Sequence, residues 1–306
     1  MTCLLIWWPL GLTSADKNSN WCYGRPECDF KTWMGKCKTG SKQSPINLEK
    51  DSAVRNKSLT PIETEGYDVP GKITGVTKEE NTVKVELGEG IRIRGGGLGG
   101  EYEAKSIVFR WGGFHEDGVV EDNFEGLDGS EHSINGKKYP MEMQINHVKL
   151  PGASGTTKDR AVLSFFIQKS MDKPKPDDLF PIYDCIDNLE NGQNCKMDRK
   201  TTLTDFMIGA NMKHYMRYEG SGTTPPCNEN VIWTVYLVPL FIPASLIKNF
   251  SILKNEEFIE MKNVYRPIQP LNGRTVYLSA GSSIPTISGV ALVVWVSILH
   301  LLIYVN

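Results

Sequence analysis

The stretch Ser106–Leu150, SIVFRWGGFHEDGVVEDNFEGLDGSEHSINGKKYPMEMQINHVKL, holds three of the chain's five histidines: His115, His132 and His147. An acidic loop separates two segments of strand-like alternation. Successive strand residues point to opposite faces, so Val108 and Arg110 share one side and Phe109 and Trp111 the other. In the second segment Glu142, Gln144 and Asn146 share a face opposite Met143 and Ile145. The acidic run HEDGVVEDNFEGLDGSE does not count out as a calcium loop and reads as a solvated connection.

Outward from this stretch, strand character recurs. ENTVKVELGEG (80–90), GIRIRGG (90–96), AVLSFFIQ (161–168), VIWTVYLVPLFI (231–242) and RTVYLSA (274–280) are rich in Val, Ile, Phe and Tyr between Gly, Pro, Asn and Asp. Helical periodicity is confined to short pieces, TTLTDFMIGA (201–210) and ASLIKNFSIL (244–253). The glycine cluster Arg94–Gly100 lacks the Lys-Ser/Thr ending of a phosphate loop and reads as a turn between strands. These patterns predict a β-rich α+β fold. With no linker, low-complexity run or internal repeat, one domain of about 260 residues is expected between the chain's ends.

Both ends read as removable. Residues 1–15 carry an apolar core, LLIWWPLGL, then Thr13, Ser14 and Ala15, the layout of a secretory signal peptide without its usual basic start. A buried helix is disfavoured by Trp7-Trp8-Pro9 and Gly11 and by the polar DKNSN that follows. At the other end, residues 289–306 contain no charged side chain. About 20 apolar residues could span a bilayer, but no Lys or Arg follows as a cytoplasmic anchor. Three small residues, Ser279-Ala280-Gly281, and the spacer SSIPTIS precede the tail, which fits a glycosylphosphatidylinositol signal with attachment at Ser279. The mature domain is therefore expected at 16–279, with 280–306 removed, on the extracellular face of the plasma membrane and held in its outer leaflet.

Cysteine usage agrees with that compartment. Cys3 leaves with the signal, and Cys22, Cys28, Cys37, Cys185, Cys195 and Cys227 remain, an even set that allows 15 pairings. Cys22 with Cys28, and Cys185 with Cys195, could close local loops, leaving Cys37 with Cys227. Sequons stand at Asn56 and Asn249. A formal net charge of −2 gives no indication of a nucleic-acid partner.

Five motifs then appear in order: WCYG (21–24), KQSPINL (42–48), GSEH…GKKYPMEM (129–143), YEGSGTTPPCNENVIWTVY (218–236) and RPIQPLNGR (266–274). Together they resemble the alpha-class carbonic anhydrases. The WCY start, the cysteine in TTPPC and the anchored tail point to the secreted, lipid-anchored type-IV-like branch. The resemblance implies one domain around a large, twisted, mostly antiparallel sheet of about ten strands, with Cys22–Cys28 and Cys37–Cys227 bridged. Cys185–Cys195 follows from the count.

The family's chemistry is attack of a zinc hydroxide on carbon dioxide, the zinc held by three histidines with one position open. The resemblance places those ligands at Val108, Arg110 and Gln144. Val108 has no donor atom, Arg110 stays protonated, and Gln144 offers only a carbonyl oxygen. No metal, no cofactor and no catalytic residue are therefore expected, and the family's hydration activity is expected to be lost. His132 and His147 match structural positions, His115 lies in the following loop and His214 precedes the YEGSGTT segment. Asn81 stands where the family's proton shuttle would be, and it does not titrate near neutrality.

Parts of the surroundings match. Glu131 and Thr223 correspond to the pair in which a carboxylate orients a threonine hydroxyl, and Glu142 to the acid that orients the third ligand. Gly222 and Asn146 would leave the cavity more open and more polar. Val162, Thr224 and Trp233 complete its expected lining, with Asn81 and Arg110. A buried guanidinium must find a partner. The favoured expectation is an internal Arg110–Glu142 or Arg110–Glu131 ion pair that plugs the former metal site. The alternative is a pocket binding a carboxylate or other small anion through Arg110.

The functional expectation is a catalytically silent cell-surface protein acting by contact with an extracellular protein or glycan. A small-ligand receptor built on the remodelled cavity is the second reading. An enzyme with a displaced metal, or with acid–base chemistry from Glu131 and Thr223, is the third.

Overall fold

Alternating apolar residues need a partner sheet face to bury them, and the chain supplies one continuous sheet. The computed structural model describes residues 21–113, 128–153, 155–170, 180–186, 189, 195–255 and 257–281. The strands are β1 (Asn47–Leu48), β2 (Val54–Asn56), β3 (Ile62–Glu65), β4 (Ile73–Glu79), β5 (Thr82–Leu87), β6 (Arg92–Gly95), β7 (Tyr102–Trp111), β8 (Ser133–Ile134), β9 (Met141–Lys149), β10 (Arg160–Lys169), β11 (Tyr215–Gly220), β12 (Val231–Ile242) and β13 (Tyr277–Ser279). Helices are short: α1 (Lys36–Thr39), α2 (Tyr183–Ile186) and α3 (Ala244–Ser251).

Eleven strands form one sheet, in the order β2-β13-β11-β12-β10-β9-β7-β5-β4 with β6 joining β7 and β3 joining β6. Its pairings are antiparallel except β10 with β12 and β13 with β2, so the expected mostly antiparallel sheet is present. β1 and β8 form a separate parallel pair. Among the described residues the chain is a single β-rich domain.

One face of the sheet packs the larger core, with Phe109, Trp111, Met143, Ile145, Leu163 and Phe165 all fully buried. Each such aliphatic or phenyl side chain contributes on the order of 2 kcal/mol by leaving water. The other face carries a smaller apolar cluster, Ile46, Val162, Phe166, Tyr218, Trp233 and Val235 among others. The polar residues of the candidate site stand beside this second cluster. All three expected disulfides form: Cys22–Cys28, Cys37–Cys227 and Cys185–Cys195.

One local expectation is modified. The segment 201–210 makes only a single 3₁₀ turn, Thr204–Met207, rather than an α-helix. Thr202 takes the Asp205 carboxylate with both its amide and its hydroxyl, which fixes a turn, and β-branched threonines and Gly209 do not extend it. Ser279 is fully buried at the end of β13, with its hydroxyl donating to the Lys213 carbonyl and accepting from the Tyr215 amide. Ala280 and Gly281, immediately after it, are exposed. Among the described residues no helix is long and apolar enough to cross a membrane. The expected signal peptide at 1–15, the apolar tail and His115 lie outside the described residues.

Candidate functional site

The site is assembled by strand register. β7 and β9 pair so that Val108 faces Gln144 and Arg110 faces Glu142. β10 sets Ser164 opposite Gln144 and Val162 opposite Asn146, and β12 sets Trp233 opposite Val162. Directly opposed residues share a face, so the residues singled out on these four strands converge as the alternation required. Glu131 and His132 arrive from the loop before β8.

Glu142 is the most heavily bonded member. It accepts from the His132 amide at 2.8 Å, Ser164 Oγ at 2.7 Å and Gln144 Nε2 at 2.9 Å, and it lies 2.9 Å from His132 Nδ1. Burial opposes its ionisation, but the attraction of His132 and these hydrogen bonds outweigh it and hold its pKa at about 2. His132 Nε2 is 2.7 Å from the Tyr218 hydroxyl, which donates to Ser44 Oγ at 2.9 Å. His132 is thus a structural link, as expected. His147, on the opposite face, is 2.7 Å from the Tyr67 hydroxyl and 3.3 Å from the Ala161 carbonyl. Burial depresses its pKa to about 4, so it stays neutral at physiological pH. His214 is half-buried and contributes its carbonyl to the Leu237 amide.

Glu131, also fully buried, accepts from Gln144 Nε2 at 2.8 Å and from the Arg266 amide at 3.1 Å. Arg110 Nε lies 3.4 Å from Glu131 Oε1, so Glu131 is the partner of the two considered. Glu142 is instead bonded to His132, Gln144 and Ser164. The Arg110–Glu131 contact is an ion pair without hydrogen-bond geometry. Arg110 Nε and Nη1 are buried with no hydrogen-bond partner, and so is the Tyr23 hydroxyl. The Arg110 guanidinium carbon is 5.8 Å from the Tyr23 ring centre, a cation–π contact. Burial works against the arginine's charge, yet Tyr23, Glu131 and Glu142 together raise its pKa.

The expected Glu131–Thr223 interaction is absent. Both residues are buried, but no hydrogen bond joins them, because Glu131 is turned to Gln144, Arg266 and Arg110. Asn81 is elsewhere engaged, donating to the Trp21 carbonyl at 3.3 Å. It thereby helps hold the N-terminal arm, where Trp21, Tyr23 and Trp33 pack edge to face. Gly222 is open: a Cβ there would meet nothing nearer than the Thr224 carbonyl at 3.7 Å. Asn146 and Thr224 are half-buried, whereas Val162 and Trp233 belong to the apolar cluster beneath.

Sequence reasoning did not single out Tyr23, Ser164 or Arg266. Ser164 was accessible to it, since it alternates with Val162 on a recognised strand. Tyr23 and Arg266 reach the site through long-range chain placement that no local pattern reveals.

The donor set does not fit zinc. Val108 is hydrocarbon, Arg110 is a cation, and the Gln144 amide nitrogen is directed at two carboxylates. Among the described residues no group of three or more His, Cys, Asp or Glu side chains is placed to hold a metal ion.

The model of eukaryotic-type carbonic anhydrases matches residues 28–280. The chain belongs to the eukaryotic-type carbonic anhydrase family. It is 34% identical to carbonic anhydrase 4 of Mus musculus over 279 residues, covering 87% of this chain and 86% of that protein. Carbonic anhydrase 4 of Rattus norvegicus is 32% identical over 284 residues, covering 88% and 87%. The putative carbonic anhydrase 5 of Caenorhabditis elegans is 33% identical over 253 residues, covering 80% and 77%. Within this family member, the sheet, the second apolar cluster and the Glu142–His132–Tyr218 chain form a continuous scaffold around residues that do not offer zinc its usual donors.

Proposed function

We propose that this protein is a catalytically silent, lipid-anchored extracellular member of the carbonic anhydrase family that acts by binding a protein or glycan. The observation that carries this reading is the network Arg110–Glu131–Gln144–Glu142. A guanidinium, an amide and two carboxylates contact one another at the positions where the resemblance puts the family's three zinc-binding imidazoles. Repulsion between the fixed guanidinium and an incoming dication adds to the missing lone pairs.

Purified protein should contain no stoichiometric zinc by elemental analysis and should leave carbon dioxide hydration at the uncatalysed rate in stopped flow. Zinc near one equivalent, or hydration abolished by a chelator, would refute the proposal. The anchor has its own test, release of the protein from intact cells by a phosphatidylinositol-specific phospholipase. Support for that part comes from the small residues at 279–281 and from the domain's last strand ending there.

A second reading, a receptor for a small carboxylate, is favoured by one observation: Arg110 Nε, Arg110 Nη1 and the Tyr23 hydroxyl are buried without partners. Acetate or succinate raising the thermal midpoint of the wild type, but not of Arg110→Gln, would establish it. Equal midpoints with and without the acids would leave the network as an internal plug.

A further inference from the structure

A second buried arginine lies on the opposite face of the sheet. Arg217 on β11 faces Thr234 on β12, Thr234 faces Leu163, Leu163 faces Ile145, and Ile145 faces Ile107. That row is the larger core's face, away from Arg110. Arg217 is only 5% exposed, and Nε, which donates to Thr234 Oγ1 at 2.9 Å, makes its hydrogen bond. Nη2 is buried without a partner. Among the described residues no carboxylate pairs with Arg217; its strand neighbour Glu219 turns to Lys158 at 3.2 Å. Its surroundings are phenols: the Tyr215 ring centre is 5.4 Å away, and burial with no opposing acid lowers its pKa.

Beside it opens a cleft of about 570 Å³, lined by Arg217, Lys42, Arg274, Glu219, Asn272 and Tyr277 among others. Three cations thus meet one carboxylate, and that carboxylate is already engaged by Lys158. Arg274 is hydrogen-bonded only to carbonyls, those of Gln43, Glu219, Pro270 and Leu271, so its charge also lacks an acid partner. Gly97 forms part of the wall at φ +72, with its missing Cβ 4.0 Å from Arg217 Nη1. The backbone there lies close to the guanidinium without a side chain to cover it.

A buried cation with neither counter-charge nor a full set of acceptors is costly unless something supplies both. We infer that this cleft is a binding site for a tetrahedral oxyanion, a phosphate or sulfate group, with Arg217 as its buried anchor and Lys42 at its rim. The planar guanidinium offers two parallel N–H donors to such a group. Tyr277 lines the cleft two residues before Ser279, so the phosphodiester of a lipid headgroup and a free phosphate are both chemically suitable sources.

The test is the thermal midpoint of the purified full-length chain, titrated with inorganic phosphate, sulfate or glycerophosphocholine against chloride at matched ionic strength. Phosphate or sulfate at a hundredfold excess over its Kd should raise the midpoint by about 5 °C. A response to glycerophosphocholine alone assigns the site to a headgroup phosphodiester, and a response to inorganic phosphate or sulfate assigns it to a free anion. Arg217→Met should abolish the response while its own midpoint without anion stays equal to or above the wild type. Exposed Lys42→Ala, which tests the rim without disturbing the core, should weaken the apparent affinity about threefold. Absence of any specific response in the wild type, or a response unchanged in both variants, overturns the inference.

Discussion

The Arg110–Glu131 pairing can be measured by removing its partners singly and together. Arg110 and Glu131 approach to 3.4 Å with side-chain exposures of 6% and 0%. At an effective dielectric of about 20, two unit charges at that distance attract by about 5 kcal/mol, an upper bound on the coupling. Because Arg110 Nε and Nη1 make no hydrogen bonds, the coupling should fall to about 2–3 kcal/mol. Glu131→Gln leaves a buried guanidinium unpaired and Arg110→Met leaves a buried carboxylate without its cation, so each should cost about 3 kcal/mol or more. The double variant should cost about 2–3 kcal/mol less than the sum of the two. Urea unfolding followed by tryptophan fluorescence reads all four corners, provided the slopes m agree. A coupling under about 0.5 kcal/mol would refute the ion pair as the reason Arg110 is tolerated there.

Further outcomes follow from the same geometry. Histidines introduced together at 108, 110 and 144 should bind zinc, seen as a midpoint rise of about 5 °C at a hundredfold excess over Kd; a folded triple variant indifferent to zinc would show that the surrounding scaffold no longer supports the metal. Acid should unfold the protein in two windows. His147, held near 4 when folded and near 6.5 when unfolded, takes up its proton preferentially in the unfolded chain, so its contribution is lost as pH falls from 6.5 toward 4, by up to about 3 kcal/mol. Glu142, held near 2, adds a second loss between about 4.5 and 2, and urea titrations across pH should show His147→Gln flattening only the first. Replacing Cys37 and Cys227 by serine frees a loop spanning 190 residues and should cost about 5 kcal/mol by chain entropy, against about 2 kcal/mol for Cys22 and Cys28 across 6.

Alternation alone placed Val108, Arg110, Glu142, Gln144 and Asn146 on one face, because strand side chains repeat with period two whatever the tertiary context. The long strands β7, β9, β10 and β12 were legible for the same reason. β11 is less legible: in YMRYEG the face that carries Tyr215 also carries Arg217 and Glu219, which does not identify a buried strand by composition. Its buried Arg217 was passed over accordingly. The disulfides needed more than spacing, since fifteen pairings satisfy the count and the 190-residue bridge depends on where β1 and β12 bring the chain. The Glu131–Thr223 expectation failed for an energetic reason. A carboxylate chooses among available donors, and placing Arg110 and Gln144 beside it changes the choice even though neither Glu131 nor Thr223 is itself altered.

That choice also explains how the site holds together. Two fully buried carboxylates, Glu131 and Glu142, are a liability in low dielectric unless positive charge or donors surround them. Glu142 meets this requirement without Arg110, through His132, Gln144 and Ser164. Glu131 does not, having only the Gln144 amide and one backbone N–H besides the guanidinium. Arg110 therefore supplies the charge balance for Glu131, and Gln144 bridges the two acids. Replacing Arg110 by histidine alone would remove the cation from Glu131 without assembling a zinc site. Zinc binding is therefore expected only when positions 108, 110 and 144 are changed together.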